Sequence, residues 1–496
     1  MKDIKIPKSL FEPLPGRGED ESDFSLGRYG YFRDAWRRFI RLTSAKLALG
    51  ALVIISLFSL LVPLFTARSE TLMDPYYAKL PPRVSLFGGR ITPASGAVER
   101  RLGDEGLARL YGIGIGSGSE RYNPALSVGD AVGRVREVRL DSYLEVGFVY
   151  KSISKEKYRD IIEWEKESGL QVLYPLIADN EYSGEATDAN VWYKVGSDGL
   201  PISVSDSGVT PIPVSENMQF SDNYLYDSEG NAVYAAPYGG GSTEARALRV
   251  RVLYYNWYIY ENGTEPNYLF GTDSQGYDLA LRVAGGIRVS LLLAFAISLI
   301  NLVIGALVGA VEGYYGGTVD LVIERVIDVL SGVPFIVVAT LFQIYLSDRV
   351  GAISSLLFAF VLTGWIRTAN RVRGQFFRFK SSEYVLAAKT MGVGDARIIW
   401  RHIFPNTLGT LITSSALAIP GVIFTESMLS FLGIVNLGAE GVTSLGTLLS
   451  DAAGIWVGYP HLMIAPAAVI SILMISFNIM GNGLRDAFNP ATKGGV

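Results

Sequence analysis

The chain has 496 residues, 49% of them hydrophobic, and a mean hydropathy of +0.27, values typical of membrane-spanning segments joined to a sizeable polar region. Its formal charge of -4 provides no overall basic field, which argues against nucleic acid as a partner. The sequence has no cysteine, which excludes disulfides and thiolate-based metal or redox chemistry. Its two histidines, His402 and His461, lie on either side of a predicted span, so we expect no metal or catalytic site shared between them.

The first predicted element is a membrane span at 44–66, which contains the nearly unbroken apolar run from Leu47 to Phe65. A run of this length crosses a bilayer as a helix. The segment before it is much longer than a cleaved leader, so we predict an uncleaved anchor. Basic residues mark the cytoplasmic end of a span, which predicts that segment 1–43 is cytoplasmic. The basic residues before the run are Arg33, Arg37, Arg38, Arg41 and Lys46.

Residues 67–268 contain no further span and are rich in tyrosine, glycine, serine and acidic side chains. Segments 135–150 and 245–260 have the β-branched and aromatic runs of strands, whereas 154–168 has the periodicity of an amphipathic helix. The glycine- and serine-rich piece 111–120 predicts a loop. We therefore predict a folded, mixed α/β insert on the extracytoplasmic side.

Apolar runs resume after the insert and predict five more spans, which makes six in all. An even number returns the C-terminus to the cytoplasm, and the loop between the fourth and fifth spans is basic, as that orientation requires. Pro334 is predicted to bend the third span. The five later spans are predicted at 287–311, 322–346, 352–369, 409–433 and 461–481.

The polar loop at 381–406 cannot lie in lipid and is predicted to be a cytoplasmic surface that contacts a partner. Ser381 and Ser382 are expected to cap a helix that carries Glu383 in its first turn. Ala387 and Ala388 then give a small-residue patch that another surface can approach closely.

The second half of the loop predicts a tight turn and another helix. Gly392 and Gly394 are expected to end the first helix, and Asp395 lies in the first turn of the second. Pro405 is expected to force a new direction before the fifth span. A basic loop lying on anionic headgroups is the alternative interpretation.

The loop resembles the coupling loop of binding-protein-dependent ABC importer permeases, in which EAA is followed by three residues, a glycine, nine residues and I-x-L-P. In this chain Ala387, Ala388, Gly392 and Pro405 hold the spacing, and Leu386 lies where the pattern has glutamate. Glu383, one helical turn earlier, is the acidic residue that replaces it in this interpretation.

Further segments resemble dipeptide and oligopeptide permeases, and the C-type subunits of the microcin C and oligopeptide branch in particular. In the first of these segments Tyr277 stands where the family usually has arginine. Residues 67–268 have no counterpart in the resemblance. The segments are LFGTDSQGYDLALRVAGGIRVSLLLAF at 269–295, EGYYGGTVD at 312–320, ESMLSFLG at 426–433 and NGLRDAFNP at 482–490.

The resemblance implies an all-α polytopic membrane protein, a type I ABC importer permease with six transmembrane helices and a core at 269–496. It implies half of a peptide translocation pathway in a bacterial inner membrane, with both termini cytoplasmic. The implied partners are a homologous second permease, two cytoplasmic ATPases, an extracytoplasmic solute-binding protein and membrane lipid. The chain has no phosphate-loop motif, so no catalytic residue, cofactor or metal is expected in it, and ATP and Mg²⁺ are assigned to the ATPases.

Two groups of site residues are predicted, one from the polar side chains within the spans and one from the resemblance of the loop. The translocation pathway is assigned Glu426, Asn301 and Asn478, although an interhelical hydrogen bond is the alternative for each. The residues implied in ATPase coupling are Glu383, Ala387, Ala388, Gly392, Asp395, Arg397, Arg401 and Pro405.

Three alternative functions stay open at the level of sequence. A permease for another small solute, such as a nickel chelate, would have the same features. A mechanotransmitting ABC protein would have a large external domain after its first span, but only four spans and no such loop. An ion-driven secondary transporter would place acidic residues or broken helices at midplane in repeated halves, a pattern that is not clear in this sequence.

Overall fold

The structure is a computed structural model, and the residues it describes fall in nine ranges. These are 31–66, 72–86, 89–132, 135–178, 188–195, 201–205, 208–211, 220–238 and 247–488. Most of the predicted N-terminal cytoplasmic segment therefore lies outside the described residues.

Five helical segments in the described residues are long and apolar enough to cross a membrane, and a sixth forms if one bent pair counts as a single span. This agrees with the six predicted spans and exceeds the four of a mechanotransmitting protein. The helices concerned are α2 (Thr43–Phe65), α6 (Leu279–Tyr315), α9 (Ala352–Gly364) continued by α10 (Ile366–Lys380), α13 (Phe404–Phe431) and α15 (His461–Phe488), with α7 (Gly317–Ser331) and α8 (Phe335–Val350) as the bent pair.

The predicted third span is broken, because α7 and α8 meet at an angle of 75°. Pro334 lies at the break with extended backbone (ψ 128°) and has no N–H for the helical ladder. The bend expected at Pro334 is confirmed.

Glycines on one face of α6 let its backbone approach α10 very closely. Gly305, Gly309 and Gly313 recur every four residues and therefore share that face. A Cβ added at Gly309 would lie 2.3 Å from the carbonyl oxygen of Ala369, which no side chain tolerates. Such small-residue faces allow close helix packing within membranes.

The largest apolar core joins α2, α6, α13 and α15. Leu52, Ile297, Ile423 and Leu473 are among its buried members, one from each helix. The described chain also contains four shorter helices outside the insert: α1 (Tyr31–Arg41), α11 (Glu383–Thr390), α12 (Asp395–Arg397) and α14 (Leu445–Ala452).

The residues between α2 and α6 form a mixed α/β fold with two antiparallel sheets and two separate hairpins. One sheet has the order β3-β5-β4, and the other has β10-β11-β6 with β7 also paired to β11. The hairpins are β1–β2 and β8–β9. The elements are β1 (Arg83–Leu86), β2 (Gly89–Ser95), β3 (Ala97–Gly103), α3 (Asp104–Gly116), β4 (Ala125–Val132), β5 (Val135–Asp141), β6 (Phe148–Ile153), α4 (Lys155–Ser168), β7 (Leu173–Tyr174), β8 (Ile202–Ser205), β9 (Gly208–Pro211), β10 (Ala235–Tyr238), β11 (Ala247–Leu253) and α5 (Tyr254–Asn262).

Two local predictions in this insert are wrong and one is confirmed. The piece 111–120 is not a loop, because α3 continues to Gly116, and its glycines admit the rings of Trp192 and Tyr193. The aromatic end of 245–260 is helix α5 and not strand, and its first residues are buried in the insert core. The amphipathic helix at 154–168 is confirmed as α4.

The chain leaves the membrane core for the insert, and returns from it, through two adjacent segments, 74–83 and 268–278. The Arg83 N–H donates to the carbonyl of Tyr268 at 2.9 Å. The buried Thr272 hydroxyl donates to the Tyr77 carbonyl and accepts from the Leu80 N–H. The two ends of the insert therefore lie side by side on the core.

Candidate functional site

The loop predicted to contact a partner forms a sharp corner, which we call the elbow (residues 381–406). Helix α11 ends at Thr390, and Gly392 follows with a positive φ of 77°. The Gly392 N–H donates to Lys389 O at 2.9 Å, and the Val393 N–H donates to Ala388 O at 3.1 Å. These are the two hydrogen bonds of a Schellman C-cap, which needs a residue that accepts positive φ. The predicted turn at Gly392 is confirmed.

The inner face of the elbow is fixed to the ends of α6 and α10. Five of its apolar side chains are buried in one cluster with Tyr314, Val372 and Phe376. The Tyr314 hydroxyl donates to Asp395 Oδ1 at 2.5 Å, so this carboxylate is held by the chain itself. The five elbow side chains are Val385, Ala388, Ile398, Ile399 and Ile403.

The outer face of the elbow carries most of the residues predicted to couple to a partner. Leu386 is 49% exposed and Met391 is 77% exposed, and both project apolar surface from an otherwise polar loop. Tyr384 and Trp400 are also exposed, and none of these four side chains was predicted from the sequence as a contact residue. The predicted residues that are exposed are Glu383, Ala387, Gly392, Asp395, Arg397, Arg401 and Pro405.

The structure corrects one part of the predicted small-residue patch. Ala388 is only 2% exposed and packs inward, whereas Ala387 is exposed. Neighbouring residues point about 100° apart on a helix, so two adjacent alanines do not present one flat face. Only Ala387 is open to another surface in this conformation.

The predicted caps and the predicted break at Pro405 are also wrong. The Ser382 hydroxyl donates back to the Phe379 carbonyl at 2.5 Å and does not accept from α11. The chain runs without a break from Asp395 to Phe431, because residues Ile398–Ile403 form a π-helix before Pro405. The wider π register and the position of Pro405 in the first turn of α13 accommodate its missing N–H.

The segment EGYYGGTVD at 312–320 forms a chain reversal and supplies acidic residues to an ion cluster near the elbow. Gly316 and Gly317 both have positive φ and reverse the chain between α6 and α7. Arg373 of α10 then pairs with Asp320 through two contacts of 2.5 and 2.9 Å.

Two more acidic residues face the same guanidinium. Its Nε lies 3.2 Å from the fully buried Glu312, and its Nη1 lies 3.8 Å from Glu324. Arg373 is therefore the cation that joins α6, α7 and α10, a role that no sequence pattern indicated.

The residues predicted for a translocation pathway lie in different environments. Asn301 is 8% exposed, and its side chain fills the space beside Gly364. Asn478 is exposed on α15. Their pathway role stays a prediction, as does that of Glu426.

Glu426 is 1% exposed, and four serine hydroxyls donate to its carboxylate. Two come from α13 itself, and the others reach from α6 and from the N-cap of α14, so this acid joins three helices. The donors are Ser290 at 3.3 Å, Ser427 at 3.3 Å, Ser430 at 3.2 Å and Ser444 at 2.7 Å.

We expect Glu426→Ala to lower the free energy of unfolding by at least about 2 kcal/mol, because it leaves buried hydroxyls without their acceptor. Asn478→Ala, on an exposed face, is the control and should change it by less than about 0.5 kcal/mol. The measurement is SDS-induced unfolding of the purified protein in mixed micelles. An unchanged unfolding curve combined with lost transport would instead assign Glu426 to the pathway.

Within the ranges that the structure describes, no group of three or more histidine, cysteine, aspartate or glutamate side chains is arranged to hold a metal ion.

Two family models match the chain on either side of the insert. The model described as binding-protein-dependent transport system inner membrane component matches residues 301–494. The model described as the N-terminal TM domain of oligopeptide transport permease C matches residues 30–82. Most of the insert lies between the two matches.

Three curated relatives illustrate the similarity, and each matches 45 to 46% of the chain. A dipeptide transport system permease protein of Lactococcus lactis is 40% identical over 227 residues, and the match spans 64% of that protein. An oligopeptide transport system permease protein of Bacillus subtilis is 37% identical over 225 residues, which span 72% of it. The corresponding Escherichia coli (strain K12) protein is 38% identical over 232 residues, 74% of its length.

A solved inward-facing MetNI methionine ABC transporter chain is 16% identical over 42% of this chain and 96% of its own, with a TM-score of 0.36, a likeness too weak to support an argument. The family is identified by the family models and the curated relatives that match in sequence. Together with the helical membrane core, they establish that this chain is a member of the binding-protein-dependent transport permeases and a homologue of the C-type oligopeptide and dipeptide permease subunits.

Proposed function

We propose that this chain forms half of the translocation pathway of a binding-protein-dependent ABC importer that carries peptides. The relatives named above are dipeptide and oligopeptide permeases, which supports peptides as the substrate class. A homologous second permease forms the other half of the pathway, and an extracytoplasmic solute-binding protein delivers the substrate.

The observation that carries this proposal is the exposed outer face of a rigidly anchored elbow. Two cytoplasmic ATPases bind ATP and Mg²⁺ and perform the hydrolysis, and this chain binds one of them through the elbow. Because the elbow shares a buried cluster with α6 and α10, movement of the ATPase displaces those helices as rigid bodies.

The chemistry of the contact follows from the exposed side chains. Leu386 and Met391 enter an apolar part of the ATPase groove, where burying each side chain contributes roughly 1.5–3 kcal/mol. Glu383 lies one turn before Leu386 and provides an acidic contact at the rim. Arg397 and Arg401 add basic charge on the other arm of the elbow.

This proposal fixes the orientation of the chain in a bacterial inner membrane. The elbow and both termini are cytoplasmic, and the insert at 67–268 lies on the extracytoplasmic side. Helix α1 agrees with this orientation, since Arg38 and Arg41 in its last turn directly precede the first span.

The proposed contact is tested by placing charge on the elbow. Leu386→Asp with Met391→Asp is expected to reduce co-purification of the ATPase subunits at least tenfold, since a buried carboxylate without a partner is costly. Ser381→Asp adds a charge at the exposed start of the loop and is the control, with co-purification expected to be unchanged. Equal recovery of ATPase with both variants would contradict the proposal.

The insert is tested by excision between its adjacent ends. Joining Arg83 to Tyr268 through a two-glycine turn fits the antiparallel pairing of these residues. We expect the core to retain its ATPases and peptide uptake to be lost, because the insert contacts the binding protein or the second permease. Undiminished uptake by the excised protein would rule out that role.

A further inference from the structure

A cavity of about 550 Å³ lies where the insert meets the membrane core. We call it the junction cavity. The insert supplies nearly all of its walls, and Tyr459, from the loop before α15, closes it from the core side. Cavities of roughly 300–1,000 Å³ are the usual size for small-molecule sites.

The walls of the junction cavity carry charges of both signs. Arg100 and Glu145 form an ion pair of 2.5 Å, which leaves Lys79 and Arg109 as further cations and Asp188 as a further acid. Among the described residues, no carboxylate oxygen lies within 4 Å of the Lys79 or Arg109 cationic groups, and no lysine or arginine lies that close to Asp188.

Two further observations indicate that this cavity is a built site. Ser142 lines the cavity and is 4% exposed, and its buried hydroxyl has no hydrogen-bond partner among the described residues. Buried polar groups are rarely left unpaired without a reason. Lys79 is the one non-glycine residue with positive φ in the described part of the chain (62°), and such strained backbone clusters at binding sites.

From this charge pattern we infer that the junction cavity binds a short peptide with free ends. Arg109 and Lys79 receive the C-terminal carboxylate, and Asp188 receives the terminal ammonium group. This inference rests on the proposed function for the choice of peptides among zwitterionic ligands.

Binding is measured by calorimetry on the full-length chain in lipid nanodiscs, without ATPase or binding protein. The probes are trialanine, its C-terminal amide and its N-acetyl form. Removing either charge is expected to weaken binding roughly tenfold, the size of one charge-assisted hydrogen bond in a partly solvated site.

Variants locate the site within the chain. Arg109→Gln should reduce the preference for trialanine over its amide and leave the affinity for the amide unchanged. Asp188→Asn should do the same with respect to the N-acetyl form. Arg101→Gln is the matched control, because Arg101 is next to Arg100 but 76% exposed on the outer surface, and it should bind all three probes as the unmodified chain does.

Two results would overturn the inference: no binding of trialanine by the unmodified chain, or the same preference for free ends in both cavity variants. Neither result bears on the proposed ATPase contact. Recovery of ATPase with the unmodified chain and with both cavity variants is measured in parallel and tests that contact separately.

Discussion

Gly392→Val is expected to abolish peptide uptake and to reduce ATPase recovery more than tenfold. A β-branched residue at a φ of 77° is strained by roughly 1–3 kcal/mol, enough to reopen the turn and displace α11 from the core. A Cβ at this position would meet no atom within 4 Å, so the effect arises from the backbone conformation and not from a clash. Uptake of labelled peptide and co-purification of ATPase measure the two losses.

Gly394 provides the matched control for this prediction. It lies two residues later, its built Cβ is equally free of contacts, and its φ of -67° suits any residue. Gly394→Ala should therefore behave like the unmodified chain. At position 392 asparagine should retain more activity than alanine, and alanine more than valine, because asparagine tolerates positive φ. Equal activity of Gly392→Val and Gly394→Ala would refute the coupling role of this turn.

Arg373→Met is expected to destabilise the protein by about 1–3 kcal/mol, because it leaves the buried Glu312 carboxylate without its partner. Glu312, Asp320 and Glu324 would then share a site without their cation, and Glu312 cannot reach solvent. The free energy of unfolding in mixed micelles measures the loss. Arg371→Met, on the exposed side of the same helix, should change it by less than about 0.5 kcal/mol.

A second substitution separates loss of charge balance from loss of packing. Adding Glu312→Gln to Arg373→Met removes one buried negative charge and should recover part of the lost stability. If Arg373→Met is as stable as Arg371→Met, the cluster does not hold α6, α7 and α10 together.

The sequence alone predicts the membrane part of the fold well, because a span needs only a long apolar run and its flanking charges. It also predicts the bend at Pro334, which depends on one residue. The sequence does not predict which side chains of the elbow face the core and which face outward. Ala387 and Ala388 are indistinguishable in the sequence, and only burial in the cluster that includes Val372 and Phe376 decides which of them faces inward.

Long-range contacts limit the prediction of the site more than local structure does. Arg373 appears in the sequence as one of several basic loop residues, yet it pairs with acids located 49 to 61 positions earlier. Glu426 likewise receives hydroxyls from Ser290 and Ser444, which are distant in the chain. Exposed Leu386 and Met391 were detectable in principle as apolar residues on a polar loop.

The insert shows where local propensity is overridden by burial. The aromatic residues at 254–260 favour strand, but as a helix they bury Tyr254, Tyr255 and Trp257 in one core. Gly112 and Gly116 suggest a loop, but they belong to a helix whose face must admit large rings.

Single-cysteine labelling tests the coupling role of the elbow most directly, since the sequence has no native cysteine. Met391→Cys should react with a membrane-impermeant maleimide only in inside-out vesicles, and bound ATPase subunits should protect it. Arg101→Cys, in the insert, should react only in right-side-out vesicles. Labelling of Met391→Cys from the outer side, or equal labelling with and without ATPase, would contradict the account.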